Sequence, residues 1–289
     1  MSCRYDVLVI DLDGTLLRSD GAVSPRNISA IESARRAGLE VIIATGRSLA
    51  ESREALGAIN HAGMLIAAGG SLMCDVATGR TISRRAMPAD LVQDITRWLI
   101  EHDHAALILK DAHAAGYDYL VVGDGQLDPA SKWWFARMGT TTRHVAGLHE
   151  DPHPGHTVRA GAVASEERLR PLALRLQSEL GDRCSMQHWS AVTATHAIGS
   201  PTHLLEIFDA RVSKWSMLQE FCEPREIPPQ RIAAIGDGLN DVELIGSAGL
   251  GIAMANAGPE VVQAAARSTE HHDADGVAIA IDNILSGAW

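Results

Sequence analysis

The chain opens on four consecutive apolar residues, Val7-Leu8-Val9-Ile10. A strand that is apolar on both sides belongs to a parallel sheet covered on both faces, whereas a strand with one wet face alternates. A helical period then takes over, with Ile28, Ile31 and Ala34 on one face. Ser24 is placed to cap that helix, Pro25 suits its first turn, and Gly38 suits its stop. The alternation continues with an apolar run over 39–44, a helix over 49–59 and a third strand over 64–67.

After about Thr81 the texture changes. Amphipathic segments over 91–100 and 169–180 are separated by strand-like runs at 106–109 and 119–122, which predicts a separate α+β unit. Proline breaks a helix interior, so the second of those helices is expected to begin near Pro171 and not at Ser165. The stretch 142–156, rich in His, Gly and Pro, reads as a loop. The strand and helix alternation returns with strands at 232–235 and 250–253 and helices at 241–245, 259–266 and 277–285. The expected fold class is therefore α/β, one parallel sheet built from the first and last thirds, with a different unit inserted between them.

At 289 residues the chain exceeds the usual size of one compact core, in keeping with that division. Its 46% hydrophobic and 21% charged residues describe an ordinary globular protein. A net charge of −11 argues against nucleic acid or an anionic membrane as partner, since either surface would repel it at long range. There is no signal-peptide pattern at Met1 to Val9 and no apolar run of membrane-spanning length, so the expected location is cytoplasmic. Four cysteines, Cys3, Cys74, Cys184 and Cys222, lack CxxC spacing, and buried free thiols are expected. Oligomeric state is left open.

The chemistry sits at strand ends. Asp11-Leu12-Asp13-Gly14-Thr15 follows directly on the first strand, and open α/β sheets place ligands at the carboxyl ends of their strands. A carboxylate can attack phosphorus and form an acyl phosphate, which assigns Asp11 as nucleophile. Asp13, two residues on, can protonate a departing alcohol and then deprotonate the attacking water. A second acidic cluster, Gly236-Asp237-Gly238-Leu239-Asn240-Asp241, follows another apolar strand. Like charges about 4 Å apart repel by about 4 kcal/mol per pair at an effective dielectric of about 20, so two such clusters meeting would demand a cation. Oxygen-only ligands point to Mg²⁺, with Asp237 as ligand and Asp241 as ligand or supporting partner. At a third strand end, Thr45 and the N–H groups around Gly46 can hold a phosphate oxygen. Lys214, after a capping Ser213, offers a compact positive charge for the transferring phosphoryl group. Taken singly, each of these segments also suits a turn, a cap or a solvated surface residue.

The order of the segments resembles that of the haloacid dehalogenase-like hydrolases, specifically the Cof-type branch with a type IIB cap. The resemblance rests on Asp11-Leu12-Asp13-Gly14-Thr15-Leu16, Ala44-Thr45-Gly46-Arg47, Ser213-Lys214 and Gly236-Asp237-Gly238-Leu239-Asn240-Asp241, continued by Gly251-Ile252-Ala253-Met254-Ala255-Asn256-Ala257 and Asp275-Gly276-Val277-Ala278. It implies a Rossmann-like core with helices on both faces over 1–82 and 210–289 and an inserted α+β cap over 83–209. It also implies Mg²⁺ held by Asp11, the Asp13 backbone carbonyl and Asp237, phosphate held by Thr45, Gly46 and Lys214, and a site supported by Asn240 and Asp241. Relatives often carry Asn-Gly where this chain has Gly69-Gly70, and Gly where it has Trp215.

The implied activity is Mg²⁺-dependent hydrolysis of a small phosphorylated metabolite, a sugar phosphate being the expected class. A phosphosugar mutase and a non-catalytic phosphometabolite-binding regulator are the alternatives. Eight of the twelve aromatic residues fall in the inserted unit, where they line a pocket or pack the sheet against its helices. The histidines at 144, 149, 153 and 156 lack the helical pairing of zinc enzymes and read as solvated, as does His271-His272-Asp273. Arg47 either approaches substrate or pairs with an acidic neighbour.

Overall fold

A computed structural model describes residues 4–123, 127–191 and 200–289. They form two compact units, one of Met1–Ile82 with Ser213–Trp289 and one of Ser83–Val212. In chain order the first passage of the discontinuous unit contains β1 (Val7–Ile10), α1 (Pro25–Arg36), β2 (Glu40–Ala44), α2 (Leu49–Ala58), β3 (Met64–Ala67), β4 (Leu72–Asp75) and the start of β5 (Arg80–Arg84), whose last two residues belong to the inserted unit. The inserted unit contains α3 (Ala89–Glu101), β6 (Ala106–Lys110), α4 (Ala112–Ala115), β7 (Tyr119–Val122), α5 (Pro129–Met138), β8 (Thr142–Val145), β9 (Thr157–Ser165), α6 (Glu166–Leu180), β10 (Cys184–Ser190) and β11 (Thr202–Asp209). The chain then adds α7 (Lys214–Cys222), β12 (Ile232–Gly236), α8 (Val242–Ser247), β13 (Leu250–Ala253), α9 (Pro259–Ala264), β14 (Arg267–Ser268) and α10 (Gly276–Leu285).

The large sheet runs β14-β13-β12-β1-β2-β3-β4-β5. It is parallel from β14 to β3, and β4 pairs antiparallel with β3. The α/β expectation holds, with a parallel core sheet and packed helices. Val7 and Val9 enter a cluster with Met217, Leu218 and Leu244 from α7 and α8. Leu8 and Ile10, on the opposite face by strand alternation, are equally solvent-free. Each fully buried side chain of this kind contributes about 1.5–3 kcal/mol. Ser24 caps α1 by accepting the Asn27 N–H at 3.1 Å, as its position predicts. In α2, Ser48 and Glu51 cap each other reciprocally.

Register decides what this sheet can present. Central strand β1 aligns Ile10 with Ile235 on one side and Ile43 on the other. The segments beginning at Asp11, Thr45 and Asp237 therefore leave the sheet at one end, although 226 positions separate the first from the last.

The inserted unit has its own sheet, in the order β10-β11-β9-β6-β7-β8. Leu91, Ile95 and Leu99 of α3 and Leu169, Leu172, Leu176 and Leu180 of α6 bury against it. Two expectations fail here. Helix α6 begins at Glu166 and carries Pro171 inside it. The missing N–H and ring of proline cost about 3 kcal/mol in a helix interior, and the continuous buried leucine stripe on both sides of Pro171 outweighs that cost. The stretch read as a loop holds strand β8, paired in parallel with β7 from Tyr119↔Thr142 to Val122↔Val145. Its exposed polar side chains hide an edge strand whose backbone makes the ladder. Among the described cysteines, Cys74, Cys184 and Cys222 are buried and free, as expected; Cys3 lies outside the described residues. No described helix is long and apolar enough to cross a membrane.

Candidate active site

Asp11 continues the sheet by one residue, its backbone N–H donating to the Ile235 carbonyl at 3.1 Å. Its side chain is thereby fixed over the strand end, 5% exposed. Lys214 starts helix α7 behind the cap of Ser213, whose hydroxyl accepts the Ser216 N–H at 3.0 Å. Trp215, Met217, Leu218 and Phe221 anchor that helix in the core, so Trp215 serves packing. Gly70 sits at φ +106°, and a Cβ there would lie 2.1 Å from the Ser213 carbonyl oxygen. Glycine at 70 thus lets the turn after β3 lie against the start of the lysine helix.

The Lys214 ammonium donates to Asp11 Oδ1 and to Asp241 Oδ1, each at 2.6 Å. Neither Lys214 nor Asp241 is exposed at all. The second oxygen of Asp241 accepts the N–H groups of Asp237 at 3.2 Å and Gly238 at 3.0 Å. Asp237 accepts from the Thr15 hydroxyl at 2.8 Å on one oxygen and from Asn256 Nδ2 at 3.1 Å on the other. Gly14, at φ +75°, makes this approach feasible, because a Cβ there would fall 2.2 Å from the Asp237 carboxylate. One ligand oxygen from each of Asp11, Asp237 and Asp241 lies within 4.8 Å of the other two.

The electrostatics follow from the count: with all three carboxyl groups ionised against one ammonium, the cluster would carry two surplus negative charges, around buried Asp11 and Asp241 and half-buried Asp237. Burial pushes the Asp11 carboxyl well above its ordinary range; Lys214 opposes this, while Asp241 and Asp237 add to it. Asp237 is raised to about 6, first by burial and then by Asp241, against the Thr15 hydrogen bond and Lys214. Burial alone would depress the Lys214 ammonium, and the Asp11 and Asp241 charges outweigh it and raise its pKa. A convergent set of hard oxygen donors with surplus negative charge fits a divalent cation such as Mg²⁺.

Asp13 lies apart from these three groups. Its exposed carboxylate is gripped by Arg47, through Nε at 2.8 Å and Nη2 at 2.5 Å, so Arg47 pairs with an acidic neighbour here. The expected metal role of Asp13 concerns its backbone carbonyl and not this side chain. Thr45 is fully buried, its hydroxyl accepting the Arg47 N–H at 3.1 Å. Gly46 is half-buried beside it, and Asn240 is half-buried on the short turn Leu239–Asp241.

Sequence reasoning gave no role to Asn256, Thr15 or His272, although the first two lie inside the quoted segments. His272 is not solvated: it is 7% exposed, and its Nδ1 pairs with the Leu17 carbonyl at 2.8 Å. His271, His272 and Asp273 also offer ligand atoms within 4.8 Å of one another. The chain itself engages this group, since Ser19 bonds both Asp273 oxygens and His271 accepts the Asp273 N–H.

The profile of the haloacid dehalogenase-like hydrolase family matches residues 8–281. The chain is a haloacid dehalogenase-like hydrolase. Among relatives of this hydrolase, the Bacillus subtilis 5-amino-6-(5-phospho-D-ribitylamino)uracil phosphatase YwtE is 28% identical, over 98% of this chain and 99% of its own. The Escherichia coli pyridoxal phosphate phosphatase YbhA is 26% identical, over 87% and 88%. The fold matches a haloacid dehalogenase-like hydrolase from Bacteroides thetaiotaomicron with a TM-score of 0.77 at 23% identity, covering 97% and 99% of the two chains. It also matches the subclass IIB sugar phosphatase BT4131 with a TM-score of 0.76 at 20% identity, covering 96% and 98%.

Proposed function

We propose that this hydrolase is a Mg²⁺-dependent phosphatase of a small phosphorylated metabolite, a sugar phosphate being the favoured class, and that it works through an aspartyl phosphate on Asp11. The observation that carries this reading is the surplus of buried negative charge where Lys214 ties Asp11 to Asp241, with Asp237 alongside. An ion-pair cluster serving stability alone has no reason to bury more carboxylates than cations, because uncompensated buried charge is costly. The phosphatase names of the relatives point the same way.

In this reading Asp11 Oδ2 attacks phosphorus as the phosphoester P–O bond breaks, and Asp13 delivers a proton to the departing alcohol oxygen. Asp13 then takes a proton from water, which attacks the same phosphorus and returns inorganic phosphate and the free Asp11 carboxylate. The Arg47 fork occupies both Asp13 oxygens, so Asp13 must leave it to reach a substrate oxygen. Lys214, Thr45, Gly46 and Asn240 hold the phosphoryl oxygens, with Lys214 also keeping Asp11 aimed. A Mg²⁺ ion held by Asp11, the Asp13 carbonyl, Asp237 and Asp241 would offset the carboxylate surplus and stabilise charge on the phosphoryl group. Substrate choice is assigned to the inserted unit, residues 83–209.

The test is phosphate release across a panel of sugar phosphates, nucleotides and phosphorylated cofactors, with Mg²⁺ and with EDTA. The expected result is release from at least one sugar phosphate that EDTA abolishes and added Mg²⁺ restores. Isomerisation of a sugar phosphate without net release identifies a mutase instead. Ligand binding without any Mg²⁺-dependent turnover identifies a regulator.

A further inference from the structure

Asn256 lies on the segment after β13, outside every role assigned above. Its Nδ2 donates to the Gly14 carbonyl at 2.8 Å and to Asp237 Oδ2 at 3.1 Å, while its Oδ1 accepts the His272 N–H at 3.2 Å. Two of these partners only accept and the third only donates, so the amide has one orientation that satisfies all three. The His272 turn is itself held, through its ring, by Leu17 at the far end of the nucleophile segment. Asn256 thereby joins three stretches of chain: the turn after Asp11, the Asp237 loop and the turn at His272.

The consequence for Asp237 is specific. With Thr15 on Oδ1 and Asn256 on Oδ2, each carboxylate oxygen accepts one side-chain hydrogen bond, and rotation of the group would break both. Each oxygen keeps a further acceptor direction free. The same amide also holds the Gly14 carbonyl, one residue beyond the Asp13 carbonyl expected to supply a second metal oxygen, and so restrains the turn that carries both. Fixed outer partners of this kind typically account for about 10–100-fold in metal affinity.

We propose that Asn256 is the positioning residue of the metal site, orienting Asp237 and the Gly14 peptide before an ion arrives. The proposal rests on the reading of Asp237 as a Mg²⁺ ligand. It needs no contact between Asn256 and the ion or the substrate.

Mg²⁺ affinity is measured by isothermal titration calorimetry without substrate, on wild type, Asp237→Asn, Asn256→Ala and Asn256→Ser. The expected result is Mg²⁺ binding lost in Asp237→Asn, weakened by about tenfold or more in Asn256→Ala, and intermediate in Asn256→Ser, whose hydroxyl keeps one donor. Substrate KM measured at saturating Mg²⁺ should stay close to the wild-type value in both Asn256 variants. Wild-type affinity in a folded Asn256→Ala, with binding lost in Asp237→Asn, overturns this proposal alone. Binding unaffected by Asp237→Asn overturns the underlying metal reading and this proposal with it. Failure of both Asn256 variants to fold, even in excess Mg²⁺, assigns the residue to the fold and also overturns the proposal.

Discussion

The chain contains three lysines, and two of them, Lys110 in the inserted unit and Lys214 in the discontinuous one, are buried to 1% and 0% exposure. Lys110 faces one carboxylate, Asp151 at 2.5 Å, and gives its remaining hydrogen bonds to the Thr157 hydroxyl at 2.7 Å and the His153 carbonyl at 3.3 Å. Charge is balanced and all three protons are used. Burial depresses its pKa, opposed by Asp151. Lys214 instead divides its charge between Asp11 and Asp241, with Asp237 close by, and its pKa is raised. The same side chain at the same depth is complete in one place and outnumbered in the other. Burial of a charge alone does not mark a site; unbalanced burial does, because something absent from the chain must complete it.

Removing each ammonium in turn sharpens this contrast. Lys214→Met should lower kcat by about a hundredfold or more, the size of effect seen when one donor to a developing phosphoryl charge is lost. Lys110→Met should leave kcat of the folded enzyme unchanged and cost about 3–5 kcal/mol of stability, since it leaves the buried Asp151 carboxylate without its cation, with the His153 N–H still bonded to it. Turnover assays and urea unfolding on the two variants separate these outcomes. A loss of activity in Lys110→Met equal to that in Lys214→Met would erase the distinction.

A smaller effect comes from pH. Asp237 is raised from 3.8 to about 6. A carboxyl whose folded pKa exceeds its unfolded value binds more protons folded than unfolded between the two, so its contribution to stability falls as pH rises through that window. That contribution is lost as pH rises from about 4 through about 6 in EDTA, with buried Asp11 acting in the same direction. Saturating Mg²⁺ should offset that loss, because the ion favours the ionised carboxylate. Urea unfolding across this range with EDTA and with Mg²⁺ checks the sign, and Asp237→Asn should lack this component. Superimposable profiles in the two buffers would contradict the charge-surplus account.

Much of this was legible in the chain because the informative features are local. Val7 to Ile10 and Ile232 to Ile235 are continuous apolar runs, and the acids that end them follow without a break, so a parallel sheet with chemistry at its rim could be read directly. What escaped depends on geometry between distant segments. Nothing near Asn256 indicates that its amide reaches Gly14 and Asp237, and nothing near His272 indicates burial against Leu17. Gly70 reads as one glycine of a pair until its closeness to Ser213 is known. Strand β8 escaped because an exposed edge strand leaves no apolar alternation, and the start of α6 was misplaced because a local rule about proline yields to the leucines buried on either side.

In the proposed reaction the phosphoryl group passes through Asp11. Asp13→Asn removes the group that activates water, and p-nitrophenyl phosphate has a leaving group good enough to depart without a donated proton, so the covalent intermediate should accumulate. Acid quench of this variant with substrate and Mg²⁺, followed by peptide mass spectrometry, should find the phosphoryl group on the peptide carrying Asp11, with a matching burst of p-nitrophenolate. Neither should occur when Asp11→Asn is added to the same variant. A burst with the Asp11 peptide unmodified and phosphate on another residue would contradict the account.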